Sequence, residues 1–96
     1  MALLDLLGRR WTLRLLWELR DGEPATFREL QKRCDGMSSS VLAQRLAELG
    51  EAAVVMMSDR GYALTGEGKS LIASLAPLDT WAKRWARRAS AGERSR

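Results

Sequence analysis

The sequence has no histidine and a single cysteine, Cys34, among its 96 residues. That excludes a Cys/His zinc set, a Ser-His or Cys-His nucleophile pair and any disulfide within one chain. Glycine-rich loops of phosphate-binding spacing are also missing: Gly61, Gly66 and Gly68 do not make the Gly-x4-Gly-Lys-Ser/Thr pattern, since the position five before Gly68-Lys69-Ser70 is Ala63. The longest uninterrupted apolar run, Ala52 to Met57, is six residues. About 20 are needed to span a bilayer, so no membrane contact of that kind is expected. The opening Met1-Ala2-Leu3-Leu4-Asp5 has no basic stretch and no cleavage site, so no signal peptide is read there. The expectation is a cytoplasmic protein that is not an enzyme, with no catalytic residues, no metal and no cofactor.

What is present is an ordinary globular composition, 46% hydrophobic and 29% charged, enough for one small domain. A chain this short buries only roughly 60–65% of its unfolded surface and gains from oligomerising. The net charge of +4 is unevenly spread. Residues 83–96 hold six basic groups against one acidic, and the other 82 residues hold ten basic against eleven acidic. The basic character belongs to the C-terminal end, where it suits either nucleic acid or solubility.

Along the chain, residues 3–20 read as a helix whose apolar face carries Leu3, Leu6, Leu7, Leu13, Leu16, Trp17 and Leu19. Gly8 weakens its middle by about 1 kcal/mol and marks a break or a close contact. Asp21-Gly22-Glu23-Pro24 stops it. Thr26, with Glu29 three residues on, forms a capping box for a short helix over 27–33. After the Asp35-Gly36 turn, Ser38 caps a third helix over 38–49 with Leu42, Leu46 and Leu49 as its buried stripe. Stepping 100° per residue puts Ser40, Ala43, Gln44 and Ala47 on the outer face. Two helices joined by a tight glycine-containing turn make a helix-turn-helix. Ala53 to Met57 and Tyr62 to Leu64 then flank a turn ending in Gly61, a β-hairpin with Gly61 at a positive φ. Thr65 caps a final helix, in which Pro77 predicts a kink or a division near Ala76. The fold class is therefore mainly α with a small β-hairpin wing, a winged helix-turn-helix. Residues 1–88 make the domain with terminal dimerisation helices, and 89–96 a basic flexible tail.

Three stretches go further. Gly8-Arg9-Arg10-Trp11-Thr12-Leu13 is similar to the Gly-Gly-Lys-Trp-Thr signature of the HxlR family of bacterial transcriptional regulators, a MarR-like group. Phe27-Arg28-Glu29-Leu30 through Met37-Ser38 to Leu42-Ala43-Gln44-Arg45-Leu46 and Glu48-Leu49 resembles the same family's frame with its spacing intact. Tyr62-x-Leu64-Thr65-x-x-Gly68-x-x-Leu71 resembles its wing strand and last helix, with Trp81 at the position of a late Trp. The resemblance covers roughly residues 2–86. This sequence departs from the family in three places. The N-terminal cysteine that serves redox sensing in some members has no counterpart here, the wing is shorter, and Ala52-Ala53 stands where an acidic-Gly pair usually precedes the first wing strand.

The resemblance implies double-stranded DNA as partner, with the helix over 38–49 in the major groove. Ser38, Ser39, Ser40 and Gln44 become the candidate readers, Gln being able to pair bidentately with adenine; Ser at a helix start is equally explained by capping. Arg45, at the flank of the buried stripe, suits a phosphate contact or an internal ion pair. Arg28 and Lys32 on the preceding helix suit phosphate, and Arg60 at the hairpin tip the backbone or a narrow minor groove. Arg9 and Arg10 read as a solvated face beside Trp11. Cys34 reads as a buried small hydrophobe rather than a reactive thiol. Leu3, Leu7, Ile72, Leu75, Leu78, Trp81 and Trp85 exceed what one small body can cover and predict a homodimer, whose recognition helices would meet successive major grooves ~34 Å apart. Any small-molecule effector is unspecified. Two functions stay open at this point: a sequence-specific transcriptional regulator on a pseudo-palindromic operator, or a winged-helix protein-interaction module without specific DNA binding.

Overall fold

The computed structural model describes residues 2–94, with side chains to residue 90. Over 3–20, read as a helix with a break or close contact at Gly8, the chain makes two helices, α1 (Ala2–Leu7) and α2 (Thr12–Glu18). The break begins at Gly8, whose N–H donates to Leu4 O at 2.8 Å. Trp11 follows in the left-handed region at φ 78. This interruption resets the helical phase. α2 turns Thr12, Leu15 and Leu16 inward, with Leu19 one turn on, an i, i+3, i+4, i+7 stripe. Leu13, expected on the apolar face, is left exposed as a result.

α3 (Phe27–Arg33) starts at the expected capping box: Glu29 N–H donates to Thr26 Oγ1 and Thr26 N–H to Glu29 Oε1. α4 (Ser39–Glu51) starts at Ser38, whose Oγ accepts from Val41 N–H at 3.2 Å. Its stripe of Leu42, Leu46 and Leu49 is buried, as its spacing predicts. The helix ends in a Schellman motif, with Ala53 N–H donating to Gly50 O and Val54 N–H to Leu49 O. Ala53 occupies the left-handed position, φ 62, that glycine normally fills.

Strands β1 (Val55–Ser58) and β2 (Gly61–Leu64) pair antiparallel, Val55 opposite Leu64 and Ser58 opposite Gly61, around the two-residue turn Asp59-Arg60. Ala25 adds an unforeseen third edge, exchanging two 2.8 Å backbone hydrogen bonds with Tyr62. Gly61, at φ 127, is forced twice over, because a Cβ there would lie 2.5 Å from Ala25 O.

α5 (Gly66–Arg94) is capped by Thr65, whose Oγ1 accepts from Gly68 N–H at 3.0 Å. Helix and hairpin meet closely at Gly68, where a Cβ would lie 2.1 Å from Val54 O. Pro77 does not divide α5. It removes one amide donor to Ala73 O, and both residues are exposed, where water can serve that carbonyl. Helix also continues through residues 89–94, expected as tail; the side chains of Arg94 and Arg96 lie outside the described residues.

The core lies where α2, α3, α4 and the hairpin meet, around Leu15, Leu16, Leu30, Leu42, Leu49 and Leu64. Cys34 is part of it, and burial pushes its thiol pKa up, as befits a small core hydrophobe. The radius of gyration, 15.2 Å, exceeds the ~13 Å of a compact chain this long, because α5 outruns the body.

Candidate nucleic-acid interface

The outer face of α4 is built by its inner one. With Leu42, Leu46 and Leu49 anchored in the core, Ser40, Ala43, Gln44 and Ala47 are all exposed, matching the face read from the sequence, and Ser39 is exposed beside them. The turn before α4 is held at Gly36, φ 94, and by Ser38, whose hydroxyl lies 3.3 Å from Ser40 Oγ as well as capping the helix. Ser39 Oγ accepts from Gln31 Nε2 at 2.8 Å, tying α3 to the first turn of α4. Gln44 stands free of this serine cluster on the same face. The surface is small, polar and uncharged, able to approach a groove floor closely and to offer one amide and three hydroxyls.

Positive charge surrounds the face rather than occupying it. Arg28 and Lys32 are exposed on α3, and Arg60 is exposed at the hairpin tip, where its N–H is held by Ser58 Oγ. Arg45 departs from this set. Its side chain is 16% exposed, its Nε donates to Arg10 O at 2.9 Å, and its Nη1 pairs with Glu48 Oε1 at 2.5 Å. Of the two roles open to Arg45, the internal ion pair is the one the structure contains.

Glu48 also receives Arg9, from the linker between α1 and α2. Hydrogen bonding from Arg9, followed by the charges of Arg45 and Arg9, holds the Glu48 carboxyl below its ordinary pKa against the opposing pull of desolvation. Arg9 is thus not the merely solvated residue the sequence suggested. No local signal could reveal this pair, since its members are 39 positions apart. Arg10 behaves more as expected, its guanidinium 5.5 Å from the Trp11 ring centroid.

A second, apolar surface lies along α1 and α5, with Leu7 and Ile72 on its inner side packed against the core. Leu3, Leu78, Trp81 and Trp85 are exposed, Leu7, Ile72 and Leu75 half-buried, and the Trp81 and Trp85 rings stack in parallel at 6.1 Å. Between α2 and α5 this surface dips into a groove of about 310 Å3, lined by Leu13, Trp17, Ile72, Leu75 and Leu78. Among the described residues no helix is long and apolar enough to cross a membrane, and no cluster of metal-ligating side chains occurs.

Comparison with known proteins agrees with this architecture. An HTH-type transcriptional regulator of Methanocaldococcus jannaschii, itself uncharacterised, is 25% identical over 89 residues, covering 88% of this chain and 83% of that one. Among solved structures, quinone-bound YodB from B. subtilis superposes with a TM-score of 0.80 at 32% identity, covering 86% of this chain and 93% of that one. "A possible HxlR family transcriptional factor" from Thermoplasma volcanium also superposes at 0.80, with 27% identity over 91% of this chain and 84% of that one. The profile of the HxlR-like helix-turn-helix family matches residues 6–90. With its winged helix-turn-helix and this match over nearly its whole length, the chain belongs to the HxlR-like family of DNA-binding transcriptional regulators.

Proposed function

We propose that this protein is a sequence-specific regulator that binds a pseudo-palindromic DNA operator as a homodimer. The observation that carries the reading is the α4 face: Ser39, Ser40 and Gln44 exposed together on a helix whose opposite side is locked into the core. On this reading α4 enters the major groove, Gln44 reads a base edge bidentately and the serines read permissively. Arg28 and Lys32 hold phosphates beside the groove, and Arg60 reaches the backbone or the minor groove from the wing. Arg45 contributes by shaping α4 rather than by touching DNA. The dimer is supported by the exposed Leu3, Leu78, Trp81 and Trp85, apolar side chains that a monomer leaves wet. Residues 1–88 then form the DNA-binding and dimerisation unit, and the basic residues beyond it add non-specific attraction.

Selection from random duplex DNA, followed by titration at two salt concentrations, tests this. The expected outcome is an inverted repeat, bound with a steep salt dependence. The Gln44→Ala, Arg60→Ala double variant should lose preference for that repeat. Equally weak binding to every duplex, insensitive to those substitutions and abolished by deleting residues 89–96, would overturn the proposal and favour a protein-binding module.

A further inference from the structure

The linker between α1 and α2 holds its shape against two costs. Trp11 sits at φ 78, a left-handed conformation costing a non-glycine residue roughly 1–2 kcal/mol. The four residues 8–11 also interrupt a segment otherwise patterned as one helix. Such a conformation persists only where its surroundings over-determine it, and here the surroundings belong to the helix-turn-helix. Arg9 reaches Glu48 of α4. The Arg10 carbonyl accepts from Arg45 Nε, also of α4. The Trp11 indole lies over the α3–α4 turn, its Cη2 3.8 Å from where a Gly36 side chain would begin. Three consecutive residues of the linker therefore grip three points of the recognition unit: its turn and two positions one turn of helix apart.

Glu48 is where these ties converge. One carboxylate takes Arg9 on Oε2 and Arg45 on Oε1, and the same Arg45 guanidinium carries the Arg10 carbonyl, closing a ring between linker and helix. A planar guanidinium that bonds through Nε and Nη1 at once fixes orientation as well as distance, which a lysine could not do. The ring adds little to stability, because Arg9 is 49% exposed and solvent screens it. Its consequence is directional. It sits on the flank of α4 behind Gln44, which precedes Arg45 directly, so it sets the rotation at which the outer face is presented.

We propose that Glu48 and Arg9 are positioning residues for DNA recognition, through which the α1–α2 linker fixes the orientation of α4. This rests on the DNA-reading role of α4. α1 also carries part of the exposed apolar surface, Leu3 and Leu4, so a displacement of α1 passes through Arg9 to the reading face without any ligand touching α4.

The test compares wild type, Arg9→Met, Glu48→Gln, their double variant and Arg9→Lys, all as full chains. Amide hydrogen exchange is measured without DNA, and affinity is titrated against the duplex recovered by selection, at two salt concentrations. Arg9→Met and Glu48→Gln should each speed exchange both in residues 8–12 and in 45–52, while the melting temperature moves by no more than a few degrees. Affinity should fall about 5- to 10-fold in each single variant and no further in the double, the mark of one shared interaction. The salt slope should stay at the wild-type value, and Arg9→Lys should recover most of the loss. A slope reduced by about one in Arg9→Met would make Arg9 a phosphate contact and overturn the proposal. Additive losses, unchanged exchange in α4, or a melting temperature that falls in step with affinity would overturn it equally. If wild type selects no duplex, the DNA-reading role fails separately, and exchange in the DNA-free protein alone decides whether linker and helix are coupled.

Discussion

Ala53 takes φ 62 at the end of α4 and completes a Schellman motif there with a side chain that disfavours it. Both backbone bonds of the motif are made, so the cost lies in the Cβ alone. Ala53→Gly should therefore stabilise the fold by about 1 kcal/mol in denaturant unfolding, with the slope of the transition unchanged. The position was legible as unusual from the sequence, since Ala52-Ala53 stands where the HxlR pattern has an acidic-Gly pair. The dihedral that makes the substitution matter was not. Trp11 was equally hidden: an aromatic in a left-handed linker has no local signature, because its neighbours 36 to 48 in sequence hold it there.

At the scale of the element, ends and caps were legible, as was the phase of α4, whereas the phase of α2 was not. The α3 capping box follows from Thr26 and Glu29 alone because every bond in it is local. The hydrogen bonds from Thr26 hold the Glu29 carboxyl below its ordinary pKa, as Arg9 and Arg45 hold that of Glu48. A carboxyl depressed in the folded state stabilises above its unfolded value and loses that contribution as pH falls through the folded value. Unfolding followed across pH should accordingly show stability declining as pH drops below about 4.5, the ordinary carboxyl value. The decline should be shallower in Glu48→Gln, and an identical profile in that variant would contradict the assignment. The phase of α2 is a different matter. A helix over 3–20 puts Leu13 inside, but the break at 8–11 rotates α2 so that Leu15 is buried instead. Gly8 signals a break without saying by how much the chain turns. Pro77 is the converse case, a strong local signal that an exposed helix tolerates.

For the whole molecule, one chain leaves apolar side chains of α1 and α5 exposed, Leu3, Leu4, Leu78, Trp81 and Trp85 among them. Trp81→Glu with Trp85→Glu should shift sedimentation from dimer to monomer while far-UV circular dichroism keeps its helical content, since both rings are exposed in the single chain. A dimer that survives both substitutions would place the interface elsewhere. Specific DNA affinity should fall with dimerisation, because two half-sites then bind independently rather than as one linked unit.

The hydrophobic periodicity of 38–49, the caps at Thr26 and Ser38 and the turn at Gly61 were enough to specify a winged helix-turn-helix and the outer face of its recognition helix. These are short-range facts, in which residues one to four positions apart decide which way a backbone turns. The Ala25 edge on the hairpin, the partners that turn Arg45 inward and the ring through Glu48 came only with the tertiary structure. Each joins residues 35 or more positions apart. Such contacts form only after packing has brought distant segments together, and no pattern within a single segment encodes them.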